Sequence, residues 1–234
     1  MFLRLPFDPN LCSPLPLTRT MPARRYRSGE KVAEQILVVR TAELKSHYDF
    51  QGFLPLDAQS VYKLYEQIEV LPLERNLAEE DPSYKQFVAY NVVRCGDFYL
   101  TYLRGKGQGE ARLRGNRSVG VGGHINSGDQ ATLFLDDHLK AAAFRELHEE
   151  IQVPNGLDLR FAGLLNDDSN EVGSVHLGLV YLAELPESAR DAKTLKRQQS
   201  VAQLSFSTAE ELQRDREQFE TWSRILIDNL DELE

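Results

Sequence analysis

The residues whose types and spacing bear most directly on chemistry are Arg145-Glu146-Leu147-His148-Glu149-Glu150. Read as a helix, this stretch sets Glu146, Glu149 and Glu150 at i, i+3 and i+4, within one strip roughly 100° wide. Three carboxylates so close repel one another, and a hard cation is the usual remedy. Mg²⁺ takes oxygen ligands, keeps several waters, and is held by a few carboxylates plus substrate phosphates. Ala143, Leu147 and Ile151 recur every four residues on a neighbouring strip, which would bury the helix and set the direction of the carboxylates. Arg145 is the natural partner of the cluster, because its planar fork holds a carboxylate in one orientation. Taken alone, the same residues also describe a solvated acidic helix face.

The upstream residues Gly122-Gly123-His124-Ile125-Asn126-Ser127-Gly128-Asp129 weigh against that bland reading. A strand ending in two glycines lets backbone approach a ligand closely, and a further Gly-Asp pair turns the chain before the helix. Strand, glycine loop and acidic helix together resemble the box of the Nudix family. That box runs Gly, five residues, Glu, seven residues, Arg-Glu, an aliphatic residue, any residue, Glu-Glu, any residue, Gly, an aliphatic residue. Gly123 matches the first glycine, Asp129 stands where the first glutamate is expected, Arg145 to Glu150 match the central block, and Val153 matches the last aliphatic position. Three departures stand out. Asp129 is one methylene shorter than glutamate, the Asp129–Arg145 loop carries eight extra residues, and Gln152 replaces the late glycine.

The resemblance implies an α+β fold, a Nudix-like α/β/α sandwich with a mixed central sheet, and hydrolysis of a diphosphate linked to another moiety. It implies a site in which Glu149 and Glu150 bind Mg²⁺ or Mn²⁺, Glu146 binds it too or positions the attacking water, and Arg145 orients the glutamates. Gly122, Gly123, His124 and Arg117 are expected to face the substrate. Members of this family often take a further carboxylate from a loop outside the box. Asp168 and Glu171, in the Asn166–Glu171 connection, are the two candidates, although ordinary turn chemistry also favours Asn and Asp there. The basic stretch Arg104–Arg117 reads as a mobile loop able to contact phosphate, or equally as a solvated hairpin loop. His124 and His176 are weaker substrate-facing candidates, His138 and His148 read as surface residues, and Cys95 as structural.

Several elements must position this cluster. Ile36–Val39 reads as a buried strand, and residues 58–69 as a helix with Val61, Leu64, Tyr65 and Ile68 at helical spacing. Asp81-Pro82-Ser83 is expected to turn into a helix or strand, and Phe87–Val93 and Phe98–Arg104 to form a hairpin around Cys95-Gly96-Asp97. Further strands are expected at Val119–Ile125, Leu159–Leu165 and Val172–Leu182. The acidic helix should close near Ile151, with Pro154, Asn155 and Gly156 at its exit. Ser207 and Glu210 read as a capping box. It would open one long amphipathic helix over 205–234, carrying Leu212, Phe219, Trp222, Leu226, Leu230 and Leu233. That helix would cover the core of a domain spanning 31–190 or form a homodimer contact. Five of the ten prolines fall within residues 1–22, so residues 1–30 are expected to form a loosely ordered arm, with a translation start at Met21 as the alternative.

Composition narrows the function classes. Of 234 residues, 41% are hydrophobic and 27% charged, enough for a core of ordinary size. A formal charge of −9 suits a metal-dependent enzyme with a small phosphorylated substrate and argues against a nucleic-acid polymer as partner. Cys12 and Cys95 make neither a zinc site nor a disulfide framework, which points to a reducing cytoplasm. No stretch approaches the roughly 20 apolar residues of a membrane span, and residues 1–20 lack the apolar run of a signal peptide. Two other functions compete with the hydrolase: a catalytically weak Nudix-fold sensor of a nucleotide or sugar phosphate, and an isopentenyl diphosphate isomerase, for which Cys12 and Cys95 are poor catalytic candidates.

Overall fold

Alternating apolar residues organise the centre of the protein. In a computed structural model, strand β4 (Tyr84–Cys95) directs Phe87, Ala89 and Val93 to one face and Tyr90 and Val92 to the other. Strand β9 (His176–Glu184) does the same with Leu177, Leu179 and Tyr181 against Val180 and Leu182. Both strands are therefore covered on each side, as a central parallel pair requires. They pair in parallel from Gln86↔His176 to Arg94↔Glu184.

The structure describes residues 33–105, 115–129, 135–151, 153–154, 157–191, 195 and 201–233, with the side chains of 135–137 left aside. The expected arm at 1–30, most of the basic stretch between 106 and 114, residues 130–134 of the inserted stretch, Gln152, Asn155 and Gly156 lie outside the described residues.

Around the central pair, β8 (Leu159–Asn166) joins β9 antiparallel, and β2 (Gly52–Pro55) joins β8. On the other side β4 meets β1 (Gln35–Arg40), β5 (Phe98–Arg104) and the short β7 (Gly120–Val121). β3 (Leu71–Glu74) pairs β1, β6 (Arg117–Ser118) pairs β5, and β10 (Val201–Thr208) closes the order beyond β5. The result is a mixed ten-stranded sheet among the described residues. One face is packed by α1 (Thr41–His47), α2 (Ala58–Gln67) and α4 (Leu135–Glu150), through Leu44, Val61, Leu64, Leu139, Ala143 and Leu147. Two short helices, α3 (Arg75–Ala78) and α5 (Glu171–Ser174), follow β3 and precede β9. The opposite face is packed by α6 (Ala209–Arg214) and α7 (Thr221–Ile227), through Leu212, Trp222, Leu226 and Ile227. This is the expected α/β/α sandwich.

Three expectations need correction. The long C-terminal helix is broken into α6, a 3₁₀ turn at Arg216–Gln218, α7 and a 3₁₀ turn at Leu230–Leu233. Its apolar residues are buried as expected, but Phe219 and Glu220 are extended. The reason is competition for their backbone. The Glu220 N–H donates to the Arg117 carbonyl at 3.0 Å, and the Glu220 carboxylate then caps α7 at Trp222 N and Ser223 N. The capping box falls one residue later than expected, on Thr208 and Glu211, because Ser207 still belongs to β10. The strand read at Val172–Leu182 begins only at His176, since the Asn170 side chain accepts the Gly173 N–H at 2.9 Å and starts α5. Among the described residues no helix is long and apolar enough to cross a membrane.

Candidate active site

Helix α4 is anchored by Leu139, Ala143 and Leu147, all fully buried, which fixes the azimuth of the neighbouring strip. On that strip, Glu146, Glu149 and Glu150 line one cavity of about 530 Å³. Its other walls come from Gly122, Gly123 and His124 after β7, Tyr102 and Arg104 of β5, Arg75 at the start of α3, and Asn170, His176, Glu220 and Trp222.

Arg145 organises the acidic side. Its Nε and Nη2 donate to the two oxygens of Asp129 at 2.8 Å each, a bidentate pair. Nη1 donates to Glu146 Oε1 at 2.6 Å, and Nη2 also reaches the His124 carbonyl at 3.1 Å. Asp129 accepts the Asn126 N–H at 2.8 Å as well. The shorter carboxylate at position 129 is thus no defect. It ties the glycine loop to the helix through Arg145. Burial opposes the charge on Asp129, but Arg145 and the Asn126 N–H outweigh it and hold the carboxyl below its usual range.

Glu146 is the buried member of the strip. Burial pushes its carboxyl up to about 7 against the pull of Arg145, and Glu149 and Glu150 push the same way. Its second oxygen lies against Gly123, where a Cβ would stand 2.4 Å from Oε2. A Cβ on Gly122 would stand 1.8 Å from the Ala89 carbonyl oxygen. The two glycines therefore serve different ends: Gly122 admits backbone, and Gly123 admits the glutamate.

Among the described residues no three His, Cys, Asp or Glu side chains converge as a metal-holding group. Glu146 Oε1 is engaged by Arg145, and Glu149 Oε1 sits 3.5 Å from the same guanidinium. The donor set nonetheless fits a hard divalent cation. It consists of carboxylate oxygens on one helix strip, one of them buried at a cost in charge that a cation would offset.

The remaining expected site residues divide. His124 lines the cavity, with Nε2 3.1 Å from Nε2 of His176. Burial holds the His124 imidazole well below its usual range, with Arg75 and His176 acting in the same direction. Arg117 does not line the cavity. Its guanidinium donates to Ser205 Oγ at 2.9 Å and lies over the Phe219 ring, because β6 pairs with β5 and turns that side chain toward β10. Arg104, at the other end of the same basic stretch, lines the cavity instead. Asp168 does not line it either. Its oxygens accept from Lys85 Nζ at 2.5 Å, Gln51 Nε2 at 2.9 Å and Lys45 Nζ at 3.2 Å. Burial resists ionisation there, yet those donors hold the Asp168 carboxyl below its usual range. Glu171 is in the first turn of α5 and outside the cavity lining, whereas its neighbours Asn170 and Val172 are part of it. His138, read as a surface residue, is buried on α4.

Sequence reasoning missed Arg75, Tyr90, Glu220 and Trp222. Arg75 donates to Glu34 at 3.1 Å and Glu79 at 2.8 Å while lining the cavity. The Tyr90 hydroxyl donates to the buried Glu220 at 2.6 Å. No local pattern announces Arg75 or Tyr90, which reach the cavity only through the sheet order. Trp222 and Glu220 carried one faint signal, an acidic residue just before an apolar helical run.

No protein-family profile matches the chain. Protein YmaB of Bacillus subtilis (strain 168) is 35% identical over 209 residues, covering 86% of this chain and 99% of that protein. The crystal structure of Tm1382, described as a candidate Nudix hydrolase, matches with a TM-score of 0.67 at 31% identity, covering 84% of this chain and 98% of that one. A sandwich of this topology, a glycine loop set against the Arg145–Glu150 block, and this degree of likeness lead to one assignment: the chain belongs to the Nudix hydrolase family.

Proposed function

We propose that the chain hydrolyses a small molecule carrying a diphosphate joined to a second moiety, with Mg²⁺ or Mn²⁺ held by Glu146, Glu149 and Glu150. The observation that carries this reading is the sharing of one cavity by those three carboxylates and by two cationic side chains, Arg104 and Arg75. Carboxylates to hold a cation and guanidiniums to hold phosphate are complementary requirements of a diphosphate site.

In this reading Arg145 keeps Glu146 and the Asp129 loop in register. Arg104, half-buried beside Tyr102 and held in its charged form by that side chain and by Glu220 and Glu150, takes charge from the phosphates. Glu146 Oε2, which has no protein donor among the described residues, is the atom we assign to binding the cation or positioning the attacking water. Tyr90, Tyr102 and Trp222 exclude bulk water from one wall, which strengthens each ionic contact inside. The bound cation supplies charge neutralisation at the phosphates and makes water more acidic. The chain is expected to act in the cytoplasm.

The test is product release from a panel of nucleoside diphosphate derivatives, with and without Mg²⁺. Cleavage that requires the cation supports the reading. The alternative of a sensor for a nucleotide or sugar phosphate is motivated by the eight extra residues between Asp129 and Arg145 and by Gln152 in place of the late glycine. Calorimetry separates the two, because a sensor binds an intact ligand and yields no product on long incubation.

A further inference from the structure

When both imidazoles are neutral, the geometry of the His124–His176 pair admits only one arrangement of protons, and that arrangement has a consequence inside the cavity. His176 Nδ1 lies 2.6 Å from the carbonyl oxygen of Val172. A carbonyl accepts only, so Nδ1 carries the hydrogen and Nε2 of the neutral ring is a lone pair. His124 Nε2, 3.1 Å away, must then be the donor, which leaves His124 Nδ1 as a bare acceptor. No partner of this nitrogen is found among the described residues, nor is it one of their fully buried orphan atoms. The ring is about nine-tenths buried, and it lines the cavity.

The ring is also held from several sides. Its backbone carbonyl accepts from Arg145, and residue 124 bridges Val88 of β4. His176 is fixed edge-on by Trp222, with ring centroids 6.4 Å apart. The Val172 carbonyl sits in α5, and α5 is clamped from below. The fully buried Lys85 donates to the Gly173 carbonyl at 2.8 Å and to Asp168. Lys85, α5, His176 and His124 thus form one chain of contacts ending at the cavity, one residue from the Gly123–Glu146 contact.

We propose that His124 is a specificity-determining residue, its Nδ1 accepting a hydrogen bond from a hydroxyl or N–H of the moiety joined to the diphosphate, with His176 as the positioning residue that fixes this role. The proposal rests on the hydrolase reading above. It assigns an acceptor to the cavity wall beside the carboxylate strip, so it selects substrates that place a donor next to the diphosphate. A site built to accept a hydrogen bond discriminates against analogues lacking the donor.

Two variants separate the two nitrogens. His124→Asn keeps an acceptor oxygen near the position of Nδ1 and gives up the donor to His176. His124→Gln keeps a donor near Nε2 and gives up the acceptor. Steady-state kinetics use whichever nucleoside diphosphate derivative of the panel the wild type cleaves. Both variants are expected to raise KM, the Gln variant about three- to tenfold more than the Asn variant, the worth of one hydrogen bond. Long-range ¹⁵N–¹H correlation on the ¹⁵N-His-labelled full chain gives a readout independent of turnover, with His124 protonated at Nε2 and His176 at Nδ1. Equal KM changes in the two variants, or a hydrogen on His124 Nδ1, would overturn the proposal. Absence of cleavage by the wild type across the panel instead defeats the hydrolase reading on which it rests, and the labelled histidines still report their hydrogens in that case.

Discussion

Replacing Arg145 by lysine keeps the charge and removes the fork. The guanidinium makes four contacts of 3.1 Å or less, two to Asp129 at 2.8 Å, one to Glu146 at 2.6 Å and one to the His124 carbonyl at 3.1 Å, and a longer one to Glu149 at 3.5 Å. A lysine ammonium has the reach for one or two of these, so at least two are lost, the bidentate pair among them. Bonds to charged groups are worth about 1.5–3 kcal/mol each, and the low end applies because the Arg145 side chain is 28% exposed. The expected loss of stability is about 3 kcal/mol. For a chain of this size it lowers the melting temperature by roughly 6–12 °C. Turnover should fall further, by about a hundredfold, because Glu146 and the glycine loop lose their common reference point. Denaturant unfolding gives the first quantity and initial rates give the second. A lysine variant within about 1 kcal/mol of the wild type and with full activity would refute the claim that Arg145 positions this site.

Other substitutions read different parts of the account. Gly123→Ala sets a methyl against Glu146 Oε2, the movable end of a side chain, so turnover should drop at least about tenfold while stability changes by less than about 1 kcal/mol. Gly122→Ala meets the fixed Ala89 carbonyl instead and should cost about 3 kcal/mol or more, seen as poor folding or early unfolding. Asp168→Asn leaves the buried Lys85 ammonium without its counter-charge. The cost should be about 2–3 kcal/mol at pH 7, below the range for fully buried pairs because the Asp168 side chain is 29% exposed. The folded Asp168 carboxyl lies below its unfolded value, so its contribution is present above about pH 4 and is lost as the pH falls through the folded pKa. The gap between wild type and variant should therefore close on acidification, and a gap that widens would contradict the clamp.

The sandwich was legible where the chain carries its own period. Ile36–Val39, the 58–69 helix and the hairpin around Gly96 follow from local pattern, and the structure places elements there. The acidic strip was legible for the same reason, since three glutamates at helical spacing share a face wherever that helix lies. What failed was whatever depends on a distant partner. The 205–234 stretch has the apolar spacing of one helix, but the Arg117 carbonyl captures the Glu220 N–H and the chain breaks there. Asp168 sits in a loop rich in turn formers, and nothing local reveals that Lys85, 83 residues earlier, claims its carboxylate. Arg117 and Arg104 look alike in a basic stretch, and only the pairing of β6 with β5 decides which one reaches the cavity. Trp222 reads locally as an ordinary apolar helix residue, and only the packing of α7 on the sheet brings it to the cavity.

The central claim is that the α4 carboxylates form a cation-dependent centre for cleaving diphosphates. Its most direct test is the initial rate of diphosphate cleavage at saturating Mg²⁺ by Glu149→Gln and Glu150→Gln, each confirmed as folded by its unfolding curve. Glu149 is exposed and Glu150 half-buried, both on the cavity wall, so the neutral isosteres should leave stability nearly unchanged. The rate should fall by at least about a hundredfold in each, more than the loss expected for residues that only support a metal ligand. Undiminished cleavage in both variants would contradict the account.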